Sequence, residues 1–251
     1  MKRLLVALTY LFLYVPIVVL IVFSFNSKSF PAPWDSFTFH WYHELFHSKD
    51  LWVAFSNSLV IALTSTFISL TMSVLLIFFR ASGGKVGKFL ALYYGNLIIP
   101  ETVLAVGLLG YFTMLNIPLG MPTLIAAHTV LGLGFVIPVL YSRYVSLDPR
   151  LVEASLDLGA SPLQTFFKIT LPLLRPSMIA TGLLIFIISF DDFILSYFCA
   201  GSNIQTLSLY LLAVIRSGLS PVVNALSAVL FLFSCGLVML FFSPKIRSRI
   251  F

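Results

Sequence analysis

Six long apolar runs, at about 4–25, 53–79, 89–114, 123–141, 177–200 and 222–242, decide what this chain can become. The hydrocarbon core of a bilayer takes a helix of about 20 such residues. Only helices and closed barrels satisfy their backbone hydrogen bonds there. The expectation is an all-α membrane protein with six transmembrane helices forming one domain over 1–251. Composition agrees, since 59% of the 251 residues are hydrophobic and 10% are charged. With a mean hydropathy of +1.04, too few charges remain to cover a water-soluble surface. The first run follows Met1-Lys2-Arg3 as a signal peptide would, but it is too long and no small-residue cleavage site follows, so it reads as a retained helix. Cys199 and Cys235 both lie in apolar runs, which speaks against a disulfide framework.

The net charge of +6 is a matter of topology. With the N-terminus in the cytoplasm, the inner segments carry Lys2, Arg3, Arg80, Lys85, Lys88, Arg143, Arg150, Lys168, Arg175, Lys245, Arg247 and Arg249. The outer segments hold Lys28, Lys49 and Arg216, so twelve of the fifteen basic residues fall on one side. That asymmetry orients a helical bundle and places both termini inside. No basic patch carries interleaved aromatics, so nucleic acid is not an expected partner.

One inner loop, 142–176, is far longer than most of the others. Asp148-Pro149 offers an N-cap followed by proline at the first helical position. A short helix from there would stop at Gly159. Ser161-Pro162 starts a second, with Gln164 completing a Ser-x-x-Gln capping box. Leu171-Pro172 is expected to end that helix and lead into the fifth span. Two separately capped helices make a rigid connector and fit poorly with one amphipathic surface helix.

Within this loop Glu153-Ala154-Ser155, then Gly159, then Ile169-Thr170-Leu171-Pro172 follow the pattern EAA-x3-G-x9-I-x-LP except at Ser155. That pattern resembles the coupling motif of ABC-importer permeases. The resemblance implies a type I importer permease (MetI-like) fold, with the loop at about 148–171 docked on a separate ATPase subunit. Ser155 stands for the motif's second alanine, a small-for-small exchange expected to leave the docking surface intact. The implied partners are an ATPase dimer, a second homologous permease and an extracytoplasmic binding protein. The chain is then no enzyme and needs no cofactor. "ASGGKVGK" at 81–88 lacks the leading glycine and the Ser/Thr of a phosphate loop, and "GLGF" at 132–135 lacks a third glycine and a preceding strand.

Three carboxylates, Glu101, Asp191 and Asp192, interrupt the apolar runs. Each costs on the order of 2.5–3.5 kcal/mol near a helix centre on insertion scales, so they are expected to face a cavity or a partner. Counted along straight helices from Lys88 and Arg175, Glu101 and Asp191 stand roughly 20 and 24 Å above the inner edge. No basic residue in the spans neutralises them, which leaves protonation, a partner subunit or a cationic substrate. Pro100 disrupts the helix before Glu101 and frees carbonyls. Asp191 and Asp192 are about 100° apart on a helix, so one is expected to line a pathway while the other faces a neighbouring helix. Trp41, Tyr42, Phe190 and Phe193 offer cation–π surfaces, although packing accounts for Tyr42 and the phenylalanines as well.

The stretches "YVPIVVLIVFSFN", "FHWY", "IPETVLAVGLL", "SFDDF" and "SGLSPVVNALS" make the whole chain similar to the PotC-type permeases of spermidine/putrescine importers. That resemblance implies polyamine passage across a bacterial inner membrane, with Trp41, Glu101, Asp191 and neighbouring Asp192 on the substrate pathway. Glu101 stands where the family usually has aspartate, and Val222 where it usually has an acid. Other solutes for such a permease are ferric ion or a phosphonate. An anionic solute leaves the acids hard to understand. A channel or secondary transporter would not need the coupling motif, and no inverted repeat is evident. His40, His43, His47 and Glu44 have helical spacings that suit a metal. A solvated surface facing the binding protein explains them better, and no metal site is expected. His128 reads as a satisfied polar residue in the bundle. Thr64, Ser65, Thr66, Ser69, Thr71 and Ser73 suit close helix packing.

Overall fold

A computed structural model describes residues 2–28, 33–217 and 221–241. Residue 242, the basic residues Lys245, Arg247 and Arg249, and 218–220 of the SGLSPVVNALS stretch lie outside them. The described chain is helical apart from one isolated bridge between Asn26 and Phe37. Its helices are α1 Lys2–Phe23, α2 His40–His47, α3 Lys49–Ala81, α4 Gly87–Asn96, α5 Glu101–Met114, α6 Met121–Val145, α7 Pro149–Asp157, α8 Pro162–Thr165, α9 Leu171–Asp191, α10 Ile194–Cys199, α11 Leu207–Ser217 and α12 Pro221–Phe241.

Four helical stretches among the described residues are long and apolar enough to cross a membrane, and α4 with α5 makes a fifth if that bent pair is one span. The sixth expected run, 222–242, falls on α12 and ends outside the described residues, and apolar length does not report the breaks in two of the others. The third run bends by 113° between α4 and α5. The fifth, expected as 177–200, instead stops at Asp191 and resumes as α10. At its other end, helix continues from Pro162 to Asp191. Leu171-Pro172 therefore does not end the second loop helix. A π turn at Phe166–Thr170 bridges α8 and α9, with the Leu171 N–H donating to the Phe166 carbonyl. The wider turn carries the chain past Pro172, which has no N–H to give.

The chain divides into two compact units, Met1–Val53 with Tyr210–Phe251, and Ala54–Leu209. In the first, α12 packs on α1 and α2. None of the most apolar window of α1 is buried, so its surface is left for lipid or another subunit. In the second, α6 is the central helix, 67% buried along its apolar window against 22% for Pro162–Asp191. One cluster joins Ile61, Ala105, Phe112, Leu124, Ala127, Leu195 and Cys199 at one end. Another joins Ile77, Val136, Leu140, Phe166, Leu174 and Ile185 at the other. Lipid removes the hydrophobic drive between helices, so close approach and polar contacts hold them. Ser65, Ser69 and Ser73 are all fully buried. The Ser69 hydroxyl donates to the Thr129 carbonyl at 3.2 Å, and a Cβ on Gly132 would run into Ser69.

Candidate translocation site and coupling loop

Two helix breaks in the Ala54–Leu209 unit bring the intramembrane acids together. The first follows Asn96. Its side-chain amide donates to the Val130 carbonyl on α6 at 3.0 Å, and Gly134 admits it, since a Cβ there would strike the amide nitrogen. Pro100 then takes an extended conformation (φ −57°, ψ 137°) and α5 opens with Glu101. The 113° bend removes the straight-helix height assigned to Glu101. Glu101 is half-buried, and its carboxyl lies within side-chain interaction range of that of Asp192.

The second break comes at Asp192, whose backbone turns extended (ψ 129°). Its carboxylate accepts from the N–H groups of Ser196 at 2.9 Å and Leu195 at 3.4 Å, which restarts the helix as α10. The Ser208 hydroxyl donates to its carbonyl at 2.6 Å. His128 Nε2 lies 3.5 Å from Asp192 Oδ2, with the two side chains 1% and 2% exposed. His128 Nδ1 and the Ser189 hydroxyl are 2.7 Å apart, and Ser189 lies 3.2 Å from the Ser65 hydroxyl. Asp191, by contrast, is exposed.

His128 thus supplies the neighbour for Asp192 that appeared to be missing from the spans. Sequence reasoning passed over it because the pairing crosses from α6 to α9. The available signal was Ser189 three residues before Asp192, a polar residue inside the same apolar run.

Trp41 lies in the other unit, on α2, and is half-buried. Its indole N–H donates to the Asn26 carbonyl at 2.7 Å. The Asn26 amide also accepts from the Asp35 N–H at 2.9 Å, so Trp41 and Asp35 are both anchored on Asn26. Tyr42 stacks on Phe25 at 5.0 Å and its hydroxyl lies 2.6 Å from Ser24 Oγ, which makes it a packing residue. His43 and His47 stack at 4.1 Å, and His47 Nδ1 is engaged by the His43 carbonyl. Phe190 packs edge-on against Phe55 at 5.6 Å.

The coupling loop forms as its punctuation requires. The Asp148 carboxylate caps α7 by accepting from the Arg150 N–H at 3.0 Å. Gly159 takes φ +84°, the left-handed turn that a side chain resists. The Ser161 hydroxyl accepts from the Gln164 N–H, and the Gln164 side chain accepts from the Ser161 N–H at 2.9 Å. Glu153 and Ala154 are exposed, while Ile169, Leu171 and Pro172 are half-buried at the root of α9. Leu158 is 89% exposed, an apolar side chain with nothing on it. Ser155 lies on the inner face of α7. It is buried, and its hydroxyl lies 3.0 Å from that of Thr165, so it ties α7 to α8.

No family model matches the chain. The chain is 37% identical over 233 residues to the spermidine/putrescine transport system permease protein PotC of Escherichia coli K12, covering 91% of this chain and 88% of that one. The PotC of Haemophilus influenzae is 33% identical over 92% of this chain and 91% of its own. The putrescine transport system permease protein PotI of Escherichia coli K12 is 33% identical over 92% and 85%. Among solved structures, a bacterial ABC transporter that imports the acidic polysaccharide alginate superposes with a TM-score of 0.73 at 16% identity, covering 96% and 95% of the two chains. The MetNI methionine ABC transporter superposes with a TM-score of 0.62 at 17% identity, covering 80% and 98%. At such identities these two establish the fold, that of an ABC-importer permease, and the sequence relatives establish the family. The chain belongs to the PotC/PotI family of ABC-importer permeases.

Proposed function

We propose that this chain is a translocating subunit of an ATP-driven importer that carries polyamines such as spermidine and putrescine across the bacterial inner membrane. The observation that supports it most is the meeting of Glu101 with Asp192, beside exposed Asp191, where two helices break. Carboxylates at membrane depth need a cation or a proton, and a flexible polycation meets that need during passage. Trp41, Glu101 and Asp191 are the residues assigned to the pathway, with Asp192 beside them.

Energy comes from a separate pair of ATPase subunits. Glu153, Ala154 and Gly159 are carried on the exposed α7 side of the coupling loop, and Leu158 adds an apolar tip suited to a groove. Ile169, Leu171 and Pro172 root the loop in α9, so a push on α7 reaches the break at Asp191. A second homologous permease completes the bundle, the unburied face of α1 being suited to it, and an extracytoplasmic binding protein delivers the polyamine.

ATP-dependent uptake of labelled spermidine and putrescine by the reconstituted complex tests this reading. Glu101→Gln should cut uptake at least about tenfold, the equivalent of one lost charge contact at about 1.4 kcal/mol. Glu153→Ala should leave substrate binding in place and lower uptake per ATP hydrolysed. Normal uptake in Glu101→Gln would make that carboxyl structural and withdraw the pathway.

A further inference from the structure

Asp192 differs from the other two acids in being almost closed off from a passing cation. Its side chain is 2% exposed. One oxygen accepts from Leu195 and the other from Ser196, and His128 Nε2 approaches that second oxygen at 3.5 Å. The imidazole is itself aimed, because Nδ1 is held by Ser189, which Ser65 holds in turn. Nε2 is fully buried and has no hydrogen-bond partner among the described residues, so Asp192 is the group it can bond on a small approach. The groups facing Asp192 are Glu101 from α5, His128 from α6 and Cys199 from α10.

We propose that Asp192 is a positioning residue: clamped by α10 and His128, it fixes the Glu101 carboxyl between the two helix breaks and leaves Glu101 and Asp191 to meet the cation. The proposal rests on the polyamine reading for its substrate but on geometry for the clamp. Two carboxyls within interaction range of each other tend to share one proton or one cation. An immovable Asp192 therefore makes Glu101 the member that responds when a cation arrives. His128 acts one step further back, by holding Asp192.

The test uses the assembled complex of both permeases and the ATPases. Asp192→Asn keeps an acceptor for the Ser196 N–H, and His128→Gln leaves Asp192 itself in place, so the two fail to fold for different reasons if they fail at all. A hydrophobic carbodiimide, which reacts with protonated carboxyls, is added at pH 7 and the Glu101 adduct is followed by peptide mass. Both variants should change the Glu101 labelling rate at least about threefold, and Asp191→Asn should not. Unchanged labelling in both variants overturns the proposal. In the uptake assay, Asp192→Asn should shift the spermidine KM about tenfold in the native background and less than about twofold in Glu101→Gln, as residues acting in series do. Effects that multiply would overturn it as well, because Asp192 would then touch the substrate directly. If the native complex takes up neither spermidine nor putrescine, the polyamine reading falls, and the labelling still decides whether the clamp exists.

Discussion

A single outer-loop ion pair shows how much depends on where a charge sits. Asp35 Oδ1 accepts from the Lys28 ammonium at 2.7 Å, and its other oxygen accepts from the Ser27 hydroxyl at 3.0 Å. The hydrogen bond from Lys28, helped by that from Ser27 and by the lysine's charge, holds the Asp35 carboxyl below the usual carboxylate range. A depressed value means the charged form is favoured in the folded loop. The clasp's contribution is complete above the ordinary aspartate range and is lost as the pH falls through the lowered value. Trp34, next in the chain and edge-on to Phe23 at 6.3 Å, reports on it. In a Trp41→Phe/Trp52→Phe background, its emission should hold steady through the ordinary range and change only below it. Lys28→Met should move that transition upward, into the range of an unpaired aspartate. An identical transition in both proteins would mean that Lys28 is not the cause. The pair is exposed, so it is expected to order this loop and not to stabilise the whole fold.

At the scale of elements, the coupling loop and the break at Pro100 were legible and the break at Asp192 was not. Asp148-Pro149, Gly159 and Ser161-x-x-Gln164 are local signals, each satisfied within four residues of chain, and all three appear where the spacing put them. Which face of α7 turns inward was not legible, because it depends on Ser155 meeting Thr165, ten residues on. Pro100 marks the first break, whereas that at 192–193 depends on Asp192 meeting α6 through His128, a contact that no apolar run reveals. The Ser155–Thr165 pair carries its own prediction. Ser155→Ala restores the alanine of the motif but leaves a buried Thr165 hydroxyl without its partner, at a cost of about 1 kcal/mol. Amide exchange in α7 should accelerate about fivefold, and adding Thr165→Val should recover most of the protection, since removing both hydroxyls leaves nothing unsatisfied. Unchanged exchange in Ser155→Ala would mean that the two short helices are held by apolar contacts alone.

For the whole molecule the decisive property is which end faces the cytoplasm, and the Ala54–Leu209 unit carries the means to decide it. The cluster of Ile77, Leu140, Phe166 and Leu174 gathers the C-terminal ends of α3 and α6 with the start of α9. Arg80, Lys85, Lys88, Arg143, Arg150, Lys168 and Arg175 lie along the segments that leave or enter this end, and all are exposed. The cluster of Ile61, Phe112, Leu124 and Leu195 marks the opposite end. The connections there, 115–120 and 200–206, contain no lysine or arginine. Such a bias is expected to place the basic end, and the coupling loop with it, in the cytoplasm, where ATP is. Ser82 and Ser202 are exposed in turns at the two ends and serve as reporters. In a Cys199→Ala/Cys235→Ala background, Ser202→Cys should react with a membrane-impermeant maleimide added to cells whose outer membrane alone is opened. Ser82→Cys should react only after the inner membrane is breached. The opposite pattern would put α7 and Leu158 outside, beyond the reach of any ATPase, and the coupling assigned to Glu153 would fall with it.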